Sequence, residues 1–297
     1  MTTQELVTTQ ESATDADPVT GTAAVTDLVT YPIKGCAGTS VAESMLTPAG
    51  LAHDRTFLVI DEDGLFRSQR KTPELAVLRP EMSDDGARMT LDAPGIEPLT
   101  LDVDLDGPRR DITLFSDPYR GMDQGDGVAG WLSQLLGATS RLVRVPPEHH
   151  RVVAGRTPGT SAYADSTALL LASDASLALL NERLTDRGSP ALPMNRFRPN
   201  IVVSGWAEPH AEDLGRRIRI GAAELGYAKI CIRCAVTLVE QVVGRKAGPE
   251  PLRTLADYRR AAAGGVAFGA MYAVLRTGRL AVGDRLDVQE WGPSELC

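Results

Sequence analysis

The stretch Lys229-Ile230-Cys231-Ile232-Arg233-Cys234-Ala235-Val236-Thr237 sets two thiols around a guanidinium, in a chain whose other cysteines are Cys36 and Cys297. A neighbouring cation eases thiol ionisation, a thiolate is a soft metal ligand, and the same arginine can grip a phosphate or another oxyanion. Three local chemistries are open. A structural zinc site wants a second Cys-x-x-Cys, and none exists. A thioredoxin-like redox pair wants a βαβ surround and a helix directly after the motif, and neither is evident. A single-thiolate metal site beside an arginine needs basic and polar groups from elsewhere in the chain. Lys34, Arg55, Arg198 and Asn200 supply candidates.

These residues lie at strand ends and turns. Ala24 to Tyr31 alternates with β-branched character, and Pro32-Ile33-Lys34-Gly35-Cys36 breaks it with turn formers that can present N–H groups and an ammonium to an anion. Ser40 to Leu46 and Arg55 to Ile60 read as strands, and Asp61-Glu62-Asp63-Gly64 as a hairpin turn into a strand from Leu65 to Arg70. Short strands follow up to Met82, at Ala87 to Leu91, Leu99 to Val103, Asp111 to Phe115 and Arg141 to Val145, the pattern of an antiparallel sheet or barrel. A Pro-Pro-Glu-His-His segment and an unmatched Gly-rich loop to Ser161 mark the junction between halves, with His149 and His150 read as solvated rather than ligating.

Beyond the junction, Ser173 caps a helix carrying Leu177, Leu180 and Leu184 on one face, ending at Arg187-Gly188. Asn195-Arg196-Phe197-Arg198-Pro199-Asn200 runs into the strand Ile201 to Ser204. Two Arg and two Asn at a strand entrance must be solvated or paired, or must hold an anion. A hairpin of Arg216 to Ile220 with Ala223 to Tyr227 leads to the cysteines. A strand from Val236 to Glu240, a short helix after Thr254, and strands around Met271 to Leu275 and Arg285 to Val288 complete a β-rich α+β chain.

A length of 297 residues suffices for two packed domains. The net charge of −8 argues against nucleic acid and anionic membranes as partners, and no apolar run approaches the roughly 20 residues that span a bilayer. The uneven cysteines do not form a disulfide framework, which points to a reducing, cytoplasmic setting. The opening stretch has no basic residue before Lys34, so it reads as an acidic disordered tail rather than a targeting peptide. Two motifs are decoys. Asp102-Val103-Asp104-Leu105-Asp106-Gly107 begins like a calcium loop, but Thr113 stands where a bidentate Glu is needed. Gly125-Asp126-Gly127-Val128-Ala129-Gly130 matches a dinucleotide fingerprint without its βαβ context, and reads as the start of a helix from Val128 to Leu136.

Tyr31-Pro32-Ile33-Lys34-Gly35-Cys36, Asp54-Arg55, Phe197-Arg198-Pro199-Asn200 and Cys231-Ile232-Arg233-Cys234 with Thr237, in this order and spacing, resemble the MOSC family, in particular the mitochondrial amidoxime-reducing components and their bacterial counterparts. The resemblance runs from about Val25 to Val288. Beyond the tail read from composition, over 1–23, it implies an N-terminal MOSC β-barrel domain over 24–148 and a MOSC β-barrel domain over 149–297 that binds a molybdenum cofactor, Mo-molybdopterin, in the cleft between them. The metal ligand of the family carries over to Cys234, with Cys231 as a neighbour. The cofactor-binding positions carry over to Lys34, Gly35, Arg55, Asp165, Ser166, Thr167, Arg198, Asn200 and Arg233, with the basic residues on phosphate and with Asp165 and Asn200 on the pterin edges. The chain departs from the family at Gly35, where Ser is usual, and at Thr237-Leu238-Val239-Glu240-Gln241, where Thr-Thr-Val-Asp-Pro is usual.

The activity implied is N-reductive: a molybdenum oxidoreductase that reduces amidoximes, hydroxamic acids or N-hydroxylated bases. With no iron–sulfur cysteine set or flavin motif in the chain, electrons must come from a separate ferredoxin-like or cytochrome b5-like protein. The alternative is a cofactor carrier or sulfur-transfer module, since MOSC domains also close the molybdenum cofactor sulfurases. Pyridoxal phosphate enters only by association with those sulfurases, and no lysine site for it is evident. A β-rich binding protein with merely buried cysteines is a third reading.

Overall fold

Alternating burial along Ala23–Thr30 makes it a strand with one face in a core, and its partners come from the far end of the chain. The computed structural model describes residues 19–262 and 264–296. Seven strands close into a barrel in the order Ile201–Ser204, Leu169–Ser173, Ala267–Arg276, Ala223–Ile232, Gly215–Ile220, Arg285–Trp291 and Ala23–Thr30, the last pairing back to the first. Closure leaves the barrel no unpaired sheet edge. Neighbours are antiparallel except Leu169–Ser173 and Ile201–Ser204, whose parallel pairing requires a crossover. The helix Asp174–Asp186 provides it, capped by Ser173, whose side chain accepts from Ser176 N–H, and burying Leu180 and Leu184 as its periodicity predicts. Leu28, Ile218, Leu225, Tyr227 and Tyr272 fill the barrel.

The first half builds smaller sheets. Phe57–Ile60, Arg141–Arg144, Asp117–Asp123 and Arg109–Leu114 pair in that order, and Arg79–Met82, Arg88–Ala93 and Ile96–Asp102 form a meander. The helix Asp126–Leu136 covers a second core with Val128, Trp131 and Leu132 against Phe57, Val59 and Leu91, and stops at Gly137 in the left-handed region. The halves are interleaved. Ala23–Thr30 belongs to the barrel made otherwise from the second half, and Gly278–Ala281 pairs with Glu43–Thr47 of the first. The chain is therefore mostly sheet, with three α-helices among the described residues.

Several local expectations change. Order begins before Ala24: Val19 is buried in the barrel core and Thr20 bonds the Glu208 carboxylate, while residues 1–18 of the expected tail lie outside the described residues. The expected strand Leu65 to Arg70 reduces to isolated bridges, because the chain turns and Gln69 points back to Gly35. Val236 to Glu240 is a 3-10 turn, Ala235–Leu238, followed by the two-residue strand Val239–Glu240, since Cys234 O captures both Thr237 N–H and Thr237 Oγ1–H. The loop after Arg151 is not loose: Arg156 N–H and Thr157 N–H donate to Ala228 O and Tyr227 O of the barrel. His149 is not simply solvated but packs 5.3 and 5.5 Å from the Tyr119 and Tyr163 rings.

Gly269 sits in the barrel strand Ala267–Arg276 at φ 75°, where an added Cβ would lie 2.8 Å from Leu171 O. Both strain and contact oppose a side chain there, so Gly269→Ala is expected to lower stability by about 2 kcal/mol or more. Chemical denaturation measures this, and an unchanged midpoint contradicts the bulged barrel geometry.

Candidate functional site

The strand Ala23–Thr30 delivers Tyr31 to the junction of the halves. Its N–H donates to Asp54 Oδ1 at 2.9 Å and its hydroxyl to Pro199 O at 3.1 Å. Burial pushes the phenol up to about 12 against the pull of Arg198 and Arg55, so it remains neutral and a donor. Arg55 Nη1 donates to Asp54 Oδ2 at 2.5 Å and to Asn200 Oδ1 at 2.8 Å, and Nη2 to Arg198 O at 3.3 Å. Arg55 and Arg198 both hold left-handed backbone, φ 48° and 57°. A non-glycine residue pays about 1 kcal/mol or more for that conformation, which persists only where its surroundings fix it. Both guanidinium carbons lie 4.3 Å from the centre of the Tyr31 ring. Asn200 donates from Nδ2 to Val29 O and accepts Leu170 N–H as well as Arg55, so most of its amide capacity is spent on the frame.

The turn after Tyr31 places the buried Lys34 against the second half, where its ammonium pairs with Asp165. Burial lowers the lysine pKa and Asp165 opposes it. For Asp165 burial acts upward, but attraction and hydrogen bonding from Lys34 win and hold the carboxyl at about 2. Gly35, at φ 83°, turns its carbonyl to Gln69 Nε2 at 2.6 Å. The amides of Gln69 and Gln241 bond reciprocally at 3.1 Å, and Arg198 Nη1 reaches Gln241 Oε1 at 3.3 Å. The departure at Gln241 thus joins the two halves.

The strand Ala223–Ile232 carries Cys231, and the chain then leaves the sheet with Arg233 N–H on Val266 O. Arg233 Nη1 donates to Cys231 Sγ at 2.8 Å and Nη2 to Phe197 O at 2.7 Å. Burial pushes the Cys231 thiol up, and Arg233 only partly offsets it. Cys234 is half-buried at the start of the 3-10 turn, held through Thr237, whose carbonyl takes Arg196 Nε at 2.9 Å. The arginine therefore belongs to Cys231, and the more accessible thiol is Cys234.

All ten residues singled out from sequence, Lys34, Gly35, Arg55, Asp165, Ser166, Thr167, Arg198, Asn200, Arg233 and Cys234, line one cleft of about 350 Å³, within the range of small-molecule sites. Six cations line it, namely Lys34, Arg55, Arg70, Arg198, Lys229 and Arg233, against the single carboxylate of Asp165. Arg198 is 8% exposed and has no acidic partner among the described residues. Ser166 Oγ, Thr167 Oγ1 and Arg233 Nε are buried without a hydrogen-bond partner there. Sequence reasoning missed Phe66, Ser68, Gln69, Arg70 and Met271, and gave Lys229 no role. The first four sat in a presumed strand, and only the cationic ends of Arg70 and Lys229 hinted at a site.

Family models match twice: the MOSC N-terminal beta barrel domain over residues 22–139 and the MOSC domain over residues 158–287. The chain belongs to the MOSC family. It is 35% identical to mitochondrial amidoxime reducing component 2 of Rattus norvegicus, over 86% of this chain and 80% of that protein. It is likewise 35% identical to mitochondrial amidoxime-reducing component 1 of Mus musculus, over 88% of this chain and 80% of that one. It is 30% identical to the molybdenum cofactor sulfurase of Danio rerio, over 84% of this chain but only 32% of that protein.

The cleft of this MOSC chain fits an anionic, hydrogen-bonding organic group: unneutralised cations, orphaned hydroxyls and a free thiol are what a phosphorylated pterin with a soft metal requires. Because the folded carboxyl of Asp165 lies below its ordinary 3.8, its stabilising contribution is full above about pH 4 and fades as pH falls through about 2. The side chain is open to the cleft, so screening keeps the effect small, under about 1 kcal/mol. Denaturation of the wild type and Asp165→Asn between pH 7 and pH 2 should give curves that differ at neutral pH and converge in acid. A constant difference would show that the pair carries none of this pH dependence.

Proposed function

We propose that this chain is a molybdenum-cofactor-dependent oxidoreductase of small N-hydroxylated compounds, amidoximes, hydroxamic acids and N-hydroxylated bases, supplied with electrons by a separate ferredoxin-like or cytochrome b5-like protein. The observation that carries this reading is the convergence in one cleft of the accessible thiol of Cys234, the buried and unneutralised Arg198, and orphaned donors. The names of the relatives, similar over four-fifths of their length, support it.

Among the described residues no group of three or more His, Cys, Asp or Glu could hold a metal ion. Cys234 would hold the metal of a bound cofactor as its one protein thiolate. When bound, the molybdenum cofactor supplies a two-electron redox centre. The protein residues bind and orient. Arg198 and Arg55, with Lys34 paired to Asp165, would face the phosphate charge, and Ser166, Thr167 and Arg233 Nε would supply further hydrogen bonds. Asp165, ionised at neutral pH, is an acceptor for N–H edges rather than an acid. Cys231, buried and protonated, remains a donor-bound neighbour of Arg233. The overall change takes an N–OH group, two electrons and two protons to N–H and water. No helix among the described residues is long and apolar enough to cross a membrane.

Expression in cells that make the cofactor, followed by metal analysis and benzamidoxime reduction with dithionite-reduced viologen, tests the reading. Stoichiometric molybdenum and turnover are expected. Cys234→Ser should lower kcat by at least ~10²-fold, whereas Cys231→Ser should retain most of it. Molybdenum bound without turnover favours the cofactor-carrier alternative, and loss confined to Cys231→Ser reverses the ligand assignment.

A further inference from the structure

Arg198 raises a physical problem that its own neighbours only partly answer. A guanidinium that is 8% exposed ordinarily faces a carboxylate, because desolvation of an unpaired charge is expensive. Here Asp54 is committed to Arg55 and to the Tyr31 N–H, Asp165 to Lys34, and among the described residues the one side-chain hydrogen bond of Arg198 goes to the neutral Gln241 Oε1 at 3.3 Å. What lies against the guanidinium is the ring of Tyr31, 4.3 Å from its Cζ, and the same ring carries Arg55 at the same distance. The ring quadrupole attracts both cations without consuming their N–H donors. Tyr31 is itself immobilised at both ends, by Asp54 at its N–H and by Pro199 O at its hydroxyl. The Pro199 contact adjoins Arg198, whose left-handed φ of 57° aims the side chain.

We infer that Tyr31 is the positioning residue of a phosphate seat: its ring holds the Arg198 and Arg55 guanidiniums charged, adjacent and cleft-facing before any anion arrives. The inference rests on the cofactor-binding reading of the cleft, and assigns within it the residue that pre-organises the cationic pair. Tyr31 does not touch the anion. A carboxylate in its place would cancel the charge the seat needs, and an aliphatic residue would leave the two like charges without the attraction of the ring. The aromatic face satisfies both demands, and pre-organisation of this kind spares the ordering cost on binding.

Isothermal titration of the full chain, purified from cells unable to make the cofactor, with inorganic pyrophosphate decides it. Tyr31→Phe keeps the ring and is expected to bind within about twofold of wild type, while Tyr31→Leu is expected to bind about tenfold more weakly. Arg198→Lys keeps the charge but loses the planar stack and fork, and should also lose about tenfold, which preserves the test if the leucine variant does not fold. Equal affinity in Tyr31→Leu or Arg198→Lys, or a tenfold loss already in Tyr31→Phe, overturns the inference. Wild-type protein that holds molybdenum and turns over but does not bind pyrophosphate also overturns it, leaving the reductase reading intact. Ring-dependent pyrophosphate binding without turnover of the loaded protein upholds it and sinks only the reductase reading.

Discussion

The burial of Arg198 without an acid is the constraint around which the cleft is arranged. Taking a guanidinium out of water costs several kcal/mol unless something replaces its hydration. The protein spreads that replacement over the Tyr31 ring, the Gln241 amide and the space of the cleft itself. Arg55 shares the ring but is neutralised by Asp54, so the pair presents one uncompensated charge where a single acid would have cancelled it. A chain with net charge −8 that concentrates six cations around one cleft has arranged its charge for an anionic guest.

That arrangement depends on interleaving. Tyr31 and Lys34 come from the end of a strand that completes the second-half barrel, Gln69 from a turn of the first half, and Arg198, Arg233 and Gln241 from the second. Neither half alone contains the cleft. The closed barrel is the rigid element: it fixes Asn200 at the mouth of Ile201–Ser204 and Cys231 near the end of Ala223–Ile232, and the crossover helix, anchored by Leu180 and Leu184, joins Leu169–Ser173 to the parallel strand that Asn200 precedes. The strained left-handed backbones of Arg55 and Arg198 are tolerated because this frame holds them from several directions.

Much of this was legible in the sequence. The helix over 174–186 announced itself through a serine cap and leucine spacing, and Lys34, Arg55, Arg198 and Asn200 were marked by polar types at strand ends and turns, while Gly35, Asp165, Ser166 and Thr167 entered only through the family resemblance. What was not legible depended on long-range capture of local groups. Gln69 looked like part of a strand because nothing local shows that its amide will meet Gln241, 172 positions away. The 3-10 turn at Ala235–Leu238 looked like a strand because valines and a threonine favour one, until the Cys234 carbonyl was taken by Thr237. Asp117–Asp123 went unassigned, and it is a hairpin strand that accommodates both Pro118 and Gly121. Arg233 also misled: next to Cys234 in sequence, it bonds the buried Cys231 instead.

We propose that Cys234, and not the arginine-bound Cys231, would face the metal in this cation-lined cleft. X-ray absorption at the molybdenum edge of the loaded protein measures that most directly, through the number of sulfur neighbours in the wild type, Cys234→Ala and Cys231→Ala. The expected result is one sulfur fewer in Cys234→Ala alone. An unchanged count in Cys234→Ala, or the loss appearing in Cys231→Ala instead, contradicts it.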